Sequence, residues 1–277
     1  MDLSDILRNK HQHSRRTNWW SNSSGGLLGQ RPPEGIDFKV DFGLFEAVVP
    51  NLSMGAISSF DLFGLDEMIL FSFYAANVNN YRRVADLGAN IGVHSLILGK
   101  LGFEVDAYEP DPVHTAVARK LLEQLGGLNA PNWHEVAVVP NSQDSPAVEF
   151  VRVKGNTTSS HVKGAKASPY GELEVFSVGT TSFSKIFMDV DLIKMDVEGL
   201  EADLLESITT LNNSNCDLIL EVGSSENALR VFNHCRKLGF NIFSQKANWQ
   251  KVSGLSDIPT SYREGSLFLS RSDEMPW

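Results

Sequence analysis

Three acids crowd the end of one short run. The stretch "LIKMDVEGLE", Leu192 to Glu201, begins as an apolar strand, takes on Lys194, and ends in Asp196, Glu198 and Glu201 around Gly199. Charges at a strand end are costly to bury without a partner. In extended backbone Lys194, Asp196 and Glu198 project to one side, and Met195 and Val197 to the other. Gly199 lets the chain turn into the next helix, whose first turn holds Glu201, a place where the macrodipole favours an acid. Asp196 and Glu198 are therefore read as facing a ligand, and Glu201 as structural.

A second constellation lies upstream. In "DLGANIGVH", Asp86, Gly88, Asn90 and Gly92 occupy the turn between a strand and a helix. A dinucleotide-binding turn would have a bare second glycine, so that pyrophosphate could approach the backbone. Here Asn90 stands at that position and Asp86 precedes the loop. A carboxylate opposes pyrophosphate and favours a ligand that carries an ammonium and a sulfonium. About twenty residues on, Glu109 ends the next strand, where an acid can accept both ribose hydroxyls. Together these features favour S-adenosylmethionine over NAD.

The elements around these residues alternate. From Arg82 the pattern predicts strand "RRVADLG", helix "GVHSLILGKLG", strand "FEVDAYEP", helix "HTAVARKLLEQLG" and a third strand, "WHEVAVV". Residues 141 to about 180 interrupt the rhythm with β-like pieces around the polar loop "KGNTTSSHVKGAKASPYG". Alternation resumes with "DLIKMD", "LEADLLESI", "CDLILEVG" and "ENALRVFNHCRKLG", then "FNIFSQ" and "SLFLSR". Repeated βα units imply a largely parallel sheet with helices on both faces and ligands at the carboxyl ends of its strands. The expected organisation is an arm and strand/helix extension over 1–80, then a ligand-binding domain over 81–277 with a β-rich insertion at about 141–180. In the extension, the alternation from Ile36 to Leu44 predicts a half-buried strand and "FDLFGLDEMILFSFYAANV" a helix.

Composition narrows the class. The 277 residues are 42% hydrophobic with a formal charge of −10, which argues against nucleic acid or an anionic membrane as the main partner. The basic cluster Arg8 to Arg16 reads as a solvated tail. Trp19 and Trp20 are expected to pack back onto the domain or onto a second subunit, so a homo-oligomer formed through the arm is one expectation. Cys216 and Cys235 sit in apolar segments and form no metal pattern. With no apolar h-region and no long apolar run, the expectation is a soluble, cytoplasmic protein.

"VADLGANIGVHSLIL", "AYEPDP", "VAVV" and above all "LIKMDVEGLEADLLES" resemble the FkbM-type S-adenosylmethionine-dependent methyltransferases, from about Tyr81 to the C-terminus. The resemblance implies a class I, Rossmann-like doubly wound sheet of seven strands, with a C-terminal antiparallel hairpin. It implies O-methylation of a sugar, a glycan or a small natural product. It places Asp86, Gly88, Ala89, Asn90, Gly92, Glu109 and Pro110 at the cofactor, Glu135 and Ala137 beside the adenine, and Asp196 beside the methionine moiety and methyl group.

An alcohol acceptor benefits from a base that takes its proton. Asp196 and Glu198 are the first candidates, with Glu221 at the end of "LILEVG" and His161 of the polar loop as alternatives. No metal is expected, although Asp196 with Glu221 could hold a divalent ion that orients a diol. Two other readings stand beside this one: a domain that binds an adenosyl ligand without catalysis, and an NAD-dependent oxidoreductase.

Overall fold

The computed structural model describes residues 30–126, 130–141, 145–166, 171–211 and 215–277. The basic cluster, Trp19, Trp20 and residues 167–170 of the polar loop lie outside these. The alternation that begins at Ile36 produces strand β1 (Phe38–Asp41), and an additional strand, β2 (Glu46–Val49), pairs with it antiparallel. Their inward positions bury Phe38, Val40, Ala47 and Val49. A 3-10 turn, Ser59–Phe63, leads into helix α1 (Leu65–Ala76), whose Leu65 and Met68 to Tyr74 are all buried. A helix apolar on nearly every side is one enclosed by the core.

The alternating units follow as β3 (Arg83–Leu87), α2 (Val93–Lys100), β4 (Glu104–Tyr108), α3 (Pro112–Leu122) and β5 (Asn132–His134). The interruption consists of β6 (Ala137–Val139), β7 (Ala147–Val153), β8 (His161–Val162) and β9 (Leu173–Ser182). The remainder is α4 (Phe183–Phe187), β10 (Leu192–Met195), α5 (Glu201–Glu206), β11 (Asp217–Glu221), α6 (Ser225–Leu238), β12 (Asn241–Ser244), β13 (Gln250–Lys251) and β14 (Ser266–Ser270).

Among the described residues, the central sheet runs β13-β12-β14-β11-β10-β3-β4-β5. The five strands from β11 to β5 are parallel, and β14, β12 and β13 are antiparallel to their neighbours. This is the doubly wound arrangement with a C-terminal antiparallel hairpin. It carries eight strands where seven were expected, because the two-residue β13 adds an edge.

The expected third strand, "WHEVAVV", is a second correction. It breaks after His134: β5 stays in the central sheet, while β6 leaves it to pair parallel with β9 in a separate sheet, β6-β9-β7-β8. The whole insertion thus forms its own small sheet.

Strand residues alternate between two cores. Val84, Val105, Leu192, Ile219 and Phe268 face the cluster that holds β1, β2, α1 and α2. Ala85, Leu87, Ile193, Leu218 and Leu269 face the cluster that holds α5 and α6. Strands buried on both faces read as continuous apolar runs, and each enclosed Leu, Ile or Phe contributes about 1.5–3 kcal/mol. Helix α3 begins at the cap Asp111, whose side chain accepts from Val113 N at 2.8 Å, with Pro112 behind it.

The same Asp111 ties down the insertion. Arg152 of β7 donates to it twice, at 2.6 and 2.7 Å, while its guanidinium covers Phe176. On the other side Gly55 pairs with Asn156, Ala56 N donates to Gly155 O at 2.8 Å, and Thr157 N donates to Met54 O at 2.9 Å. Gly55 has to be glycine, since a Cβ there would stand 2.2 Å from Gly155 O.

Candidate active site

Strands β3, β4, β10 and β11 run parallel, so the Asp86–Gly92 loop, Glu109, Asp196 and Glu221 emerge at one edge of the sheet. Lys194 on β10 is in register with Asp86 on β3. Its ammonium is buried 3.6 Å from Asp86 Oδ1 and 3.8 Å from Asp196 Oδ2, and donates to Gly88 O at 3.4 Å. Burial alone would lower the Lys194 pKa; Asp86, then Asp196, Glu67 and Glu221 reverse this and leave it raised. Ser95 Oγ donates to Asp86 Oδ2 at 2.7 Å. Asp86 Oδ1 is fully buried and accepts no hydrogen bond among the described residues.

The loop beyond Asp86 is shaped by left-handed backbone. Gly88 has φ +75° and Gly92 φ +84°, and Asn90, at φ 53°, is a residue type that tolerates this region. Asn90 Oδ1 accepts from Ile91 N at 2.8 Å. Gly88 N and Ala89 N both donate to Tyr108 O at 3.0 Å, which fastens the loop to the end of β4.

Glu109 follows directly. Its Oε2 accepts from Asn90 N at 2.9 Å and its Oε1 from Asp111 N at 2.8 Å. Each oxygen keeps a second lone pair. Burial pushes the carboxyl up to about 7 although both backbone donors favour its ionised form. Pro110 is half-buried behind it.

Glu198 lies beyond the end of β10, at φ 55°, and so is not on the strand face that alternation gave it. It forms an ion pair with Lys166 of the insertion. Burial first, then the Asp196 carboxylate, pushes Glu198 up to about 7 against the pull of Lys166. The next residue, Gly199, has φ +116° and packs so closely on the insertion that a Cβ would meet Ala165 O at 2.6 Å.

Burial, then Asp196, Glu67 and Glu198, raises Glu221 as well. Glu201 is buried and structural: it accepts from Gly199 N at 3.0 Å and from Asn227 Nδ2 at 2.9 Å. His161 is not the solvated loop residue a lone histidine suggests. It lies in β8 opposite Val151 of β7, is 2% exposed, and binds Ser159 O through Nδ1 at 2.8 Å. Burial, with Lys166 nearby, lowers its pKa.

Glu135 is exposed, 3.8 Å from Arg119, in the break between β5 and β6. Ala137 is buried in the small sheet, within a cluster that also holds Phe150 and Val178. The end of β5 in the central sheet is therefore marked by His134, stacked on Tyr108 at 4.5 Å.

Sequence reasoning missed Glu67, His94 and Tyr74. Glu67, in the first turn of α1, accepts from His94 Nε2 at 2.8 Å, and His94 Nδ1 lies 3.0 Å from Tyr74 Oη. The available signal was the acid pair Asp66 and Glu67 opening the largely apolar "GLDEMILFSFY" and a histidine two residues after Gly92.

The parallel sheet, the glycine loop and the acids at its edge define the ligand site of a doubly wound α/β protein. The family model described as the methyltransferase FkbM domain matches residues 86–242, more than half of the chain. The chain belongs to this family and is an S-adenosylmethionine-dependent methyltransferase of class I fold. No curated protein sequence matches it.

Among solved structures it is similar to StiE O-MT residues 942–1257, at 15% identity and TM-score 0.35. That match covers 62% of this chain and half of the other. A SAM-dependent methyltransferase from Agrobacterium tumefaciens is 11% identical, with 88% and 74% of the two chains covered and TM-score 0.47. Magnesium protoporphyrin IX methyltransferase from Synechocystis PCC 6803, with bound SAM, is 12% identical, with 73% and 76% covered and TM-score 0.41. Among the described residues, no helix is long and apolar enough to cross a membrane. Nor, among them, do three or more His, Cys, Asp or Glu group in a way that would hold a metal ion.

Proposed function

We propose that the chain transfers a methyl group from S-adenosylmethionine to a hydroxyl oxygen of a sugar, a glycan or a small natural product. One observation carries the reading. The edge that presents Glu109, an acid suited to paired ribose hydroxyls, also presents Asp86 at the end of the adjacent strand β3 and Asp196 after β10, one strand further on, acids suited to a cation. The donor set fits the cofactor: Asp86 Oδ1 is buried without a hydrogen bond, and the loop between Asp86 and Glu109 places an asparagine where pyrophosphate would need bare backbone.

When bound, the cofactor supplies a methyl group already activated by the positive sulfur. Asp86, Gly88, Ala89, Asn90, Gly92 and Glu109 would hold its nucleoside end and Asp196 its methionine end. The protein's remaining task is to align the acceptor and exclude water. Glu198 is the residue we assign as the base. Its pKa of about 7 suits proton transfer near neutral pH, and its neighbour Lys166 brings the polar insertion loop over it. With cofactor and acceptor bound, Glu198 would accept the proton of the acceptor hydroxyl. Serines, threonines and an asparagine in residues 155–166 suit a polyhydroxylated acceptor.

The test is calorimetry with S-adenosylhomocysteine, followed by a methyl-transfer screen over glycans, hydroxylated metabolites, amines and carbon acids. Binding with transfer to a hydroxyl is expected. Absence of binding sinks the reading, and transfer to amines or carbon alone would replace the hydroxyl acceptor.

A further inference from the structure

Glu67 lies outside the segment that matches the family, on α1 of the N-terminal extension, yet it is bonded at 2.8 Å to His94, which stands in the first turn of α2, two residues after Gly92 of the glycine loop. The Lys194 cation acts on its carboxylate, and that carboxylate in turn acts on Lys194 and Glu221. These two residues stand on β10 and β11, on the far side of the glycine loop from Glu109, which follows β4. A cofactor with its ribose at Glu109 would extend its methionine end past the glycine loop, and Glu67 is bonded to the helix that this loop opens.

The carboxylate is built in place. With Tyr74 donating to His94 Nδ1, the imidazole carries its proton on Nε2 and donates to Glu67 Oε2. The ring is clamped by the edges of Phe71 at 4.9 Å and Tyr74 at 5.9 Å, and Tyr74 is fully buried. Glu67 itself keeps 29% of its side chain exposed, and it is the Oε2 oxygen that His94 engages. Burial works against its charge, but His94 and then Lys194 hold its pKa below the usual range. Asp86 and Asp196, by contrast, share the one Lys194 ammonium.

We propose that Glu67, oriented by the His94–Tyr74 chain, binds the α-ammonium of the cofactor's methionine moiety, so that the N-terminal extension completes the cofactor site. The proposal rests on the reading of this cleft as a S-adenosylmethionine site. A fixed carboxylate is the complement of an ammonium, and His94 leaves one of its oxygens to accept from it.

The test compares two ligands on the full chain by calorimetry: S-adenosylhomocysteine, which has the ammonium, and 5′-methylthioadenosine, which lacks the amino-acid moiety. Glu67→Gln is expected to weaken S-adenosylhomocysteine by about 10- to 100-fold, the range for a hydrogen bond to a charged group, and to leave methylthioadenosine unchanged. An equal loss for both ligands would make Glu67 a structural residue, and no loss for either would remove it from the ammonium; both outcomes overturn the proposal. Should Glu67→Gln fail to fold, Glu67→Asp, which keeps the charge but withdraws it by one methylene, is judged by the same selective loss. Failure of the cofactor reading is a separate result: the unmodified protein would then bind neither ligand.

Discussion

Gly88 rests against the main chain of Asp196: a Cβ added to Gly88 would stand 1.8 Å from the Asp196 carbonyl oxygen. The glycine loop after β3 and the acidic end of β10 are therefore in direct contact, and Lys194 reinforces it by donating to Gly88 O. Gly88→Ala adds a methyl group where there is backbone and imposes a side chain at φ +75°. The expected cost is at least about 2 kcal/mol from strain and overpacking together. Denaturant unfolding measures it. Unchanged stability would mean that loop and strand end are not held as described.

Glu109 gives the protein a pH signature. Its ordinary pKa is 4.5 and its folded value about 7, so between these values the native state binds more protons than the unfolded one. Its contribution to stability is present in full below 4.5 and is lost as pH rises through about 7. Glu109→Gln should flatten that segment of the stability curve. Binding runs the other way, because ribose hydroxyls donate to a carboxylate. Affinity for S-adenosylhomocysteine should rise as pH passes 7 in the unmodified protein and stay flat in Glu109→Gln. Glu109→Ala should cost about 1.5–3 kcal/mol of that affinity. Parallel pH profiles for the two proteins would place Glu109 away from the ribose.

Asp196 and Glu201, five residues apart, should part company on substitution. Asp196→Asn removes charge beside the methionine end, and kcat/KM for the cofactor should fall by about 10- to 100-fold. Glu201→Gln puts an amide where two donors, Gly199 N and Asn227 Nδ2, already point. About 1–3 kcal/mol of stability should be lost through the mismatched donor, more than a helix-dipole effect alone would cost. Cofactor affinity in Glu201→Gln should hold. Matching activity losses in the two variants would show that the stretch has been divided wrongly.

What could be read from sequence follows from how local each feature is. "RRVADLG" and "DLIKMD" are apolar runs because both faces are buried, and the loop from Asp86 to Gly92 declares itself by glycine spacing. "WHEVAVV" misleads because its second half pairs with β9, some forty residues on in sequence, and no local period records such a partner. His161 is enclosed by pairing with Val151, and Glu198 meets Lys166 from the insertion. The Glu67–His94 contact spans 27 residues and joins two helices. Each of these depends on tertiary packing, whereas the acids of β10 and the glycine loop were visible because their chemistry sits within ten residues.

The ion pair between Lys166 and Glu198 gives the last prediction. Lys166 draws the Glu198 pKa down against burial and the Asp196 carboxylate, so Lys166→Met should let it rise further. If Glu198 takes the acceptor's proton, the base is active only when ionised, and the acid limb of kcat/KM must move to higher pH. Lys166→Arg keeps the charge and should leave the limb close to its original place. Fold and cofactor site should be untouched in both variants, because Lys166 belongs to the insertion, which Arg152 and the Gly55–Asn156 bridge hold independently. A uniform loss of rate in Lys166→Met at every pH, with the limb unmoved, would make the pair a clasp for the loop and return the role of base to Asp196 or Glu221.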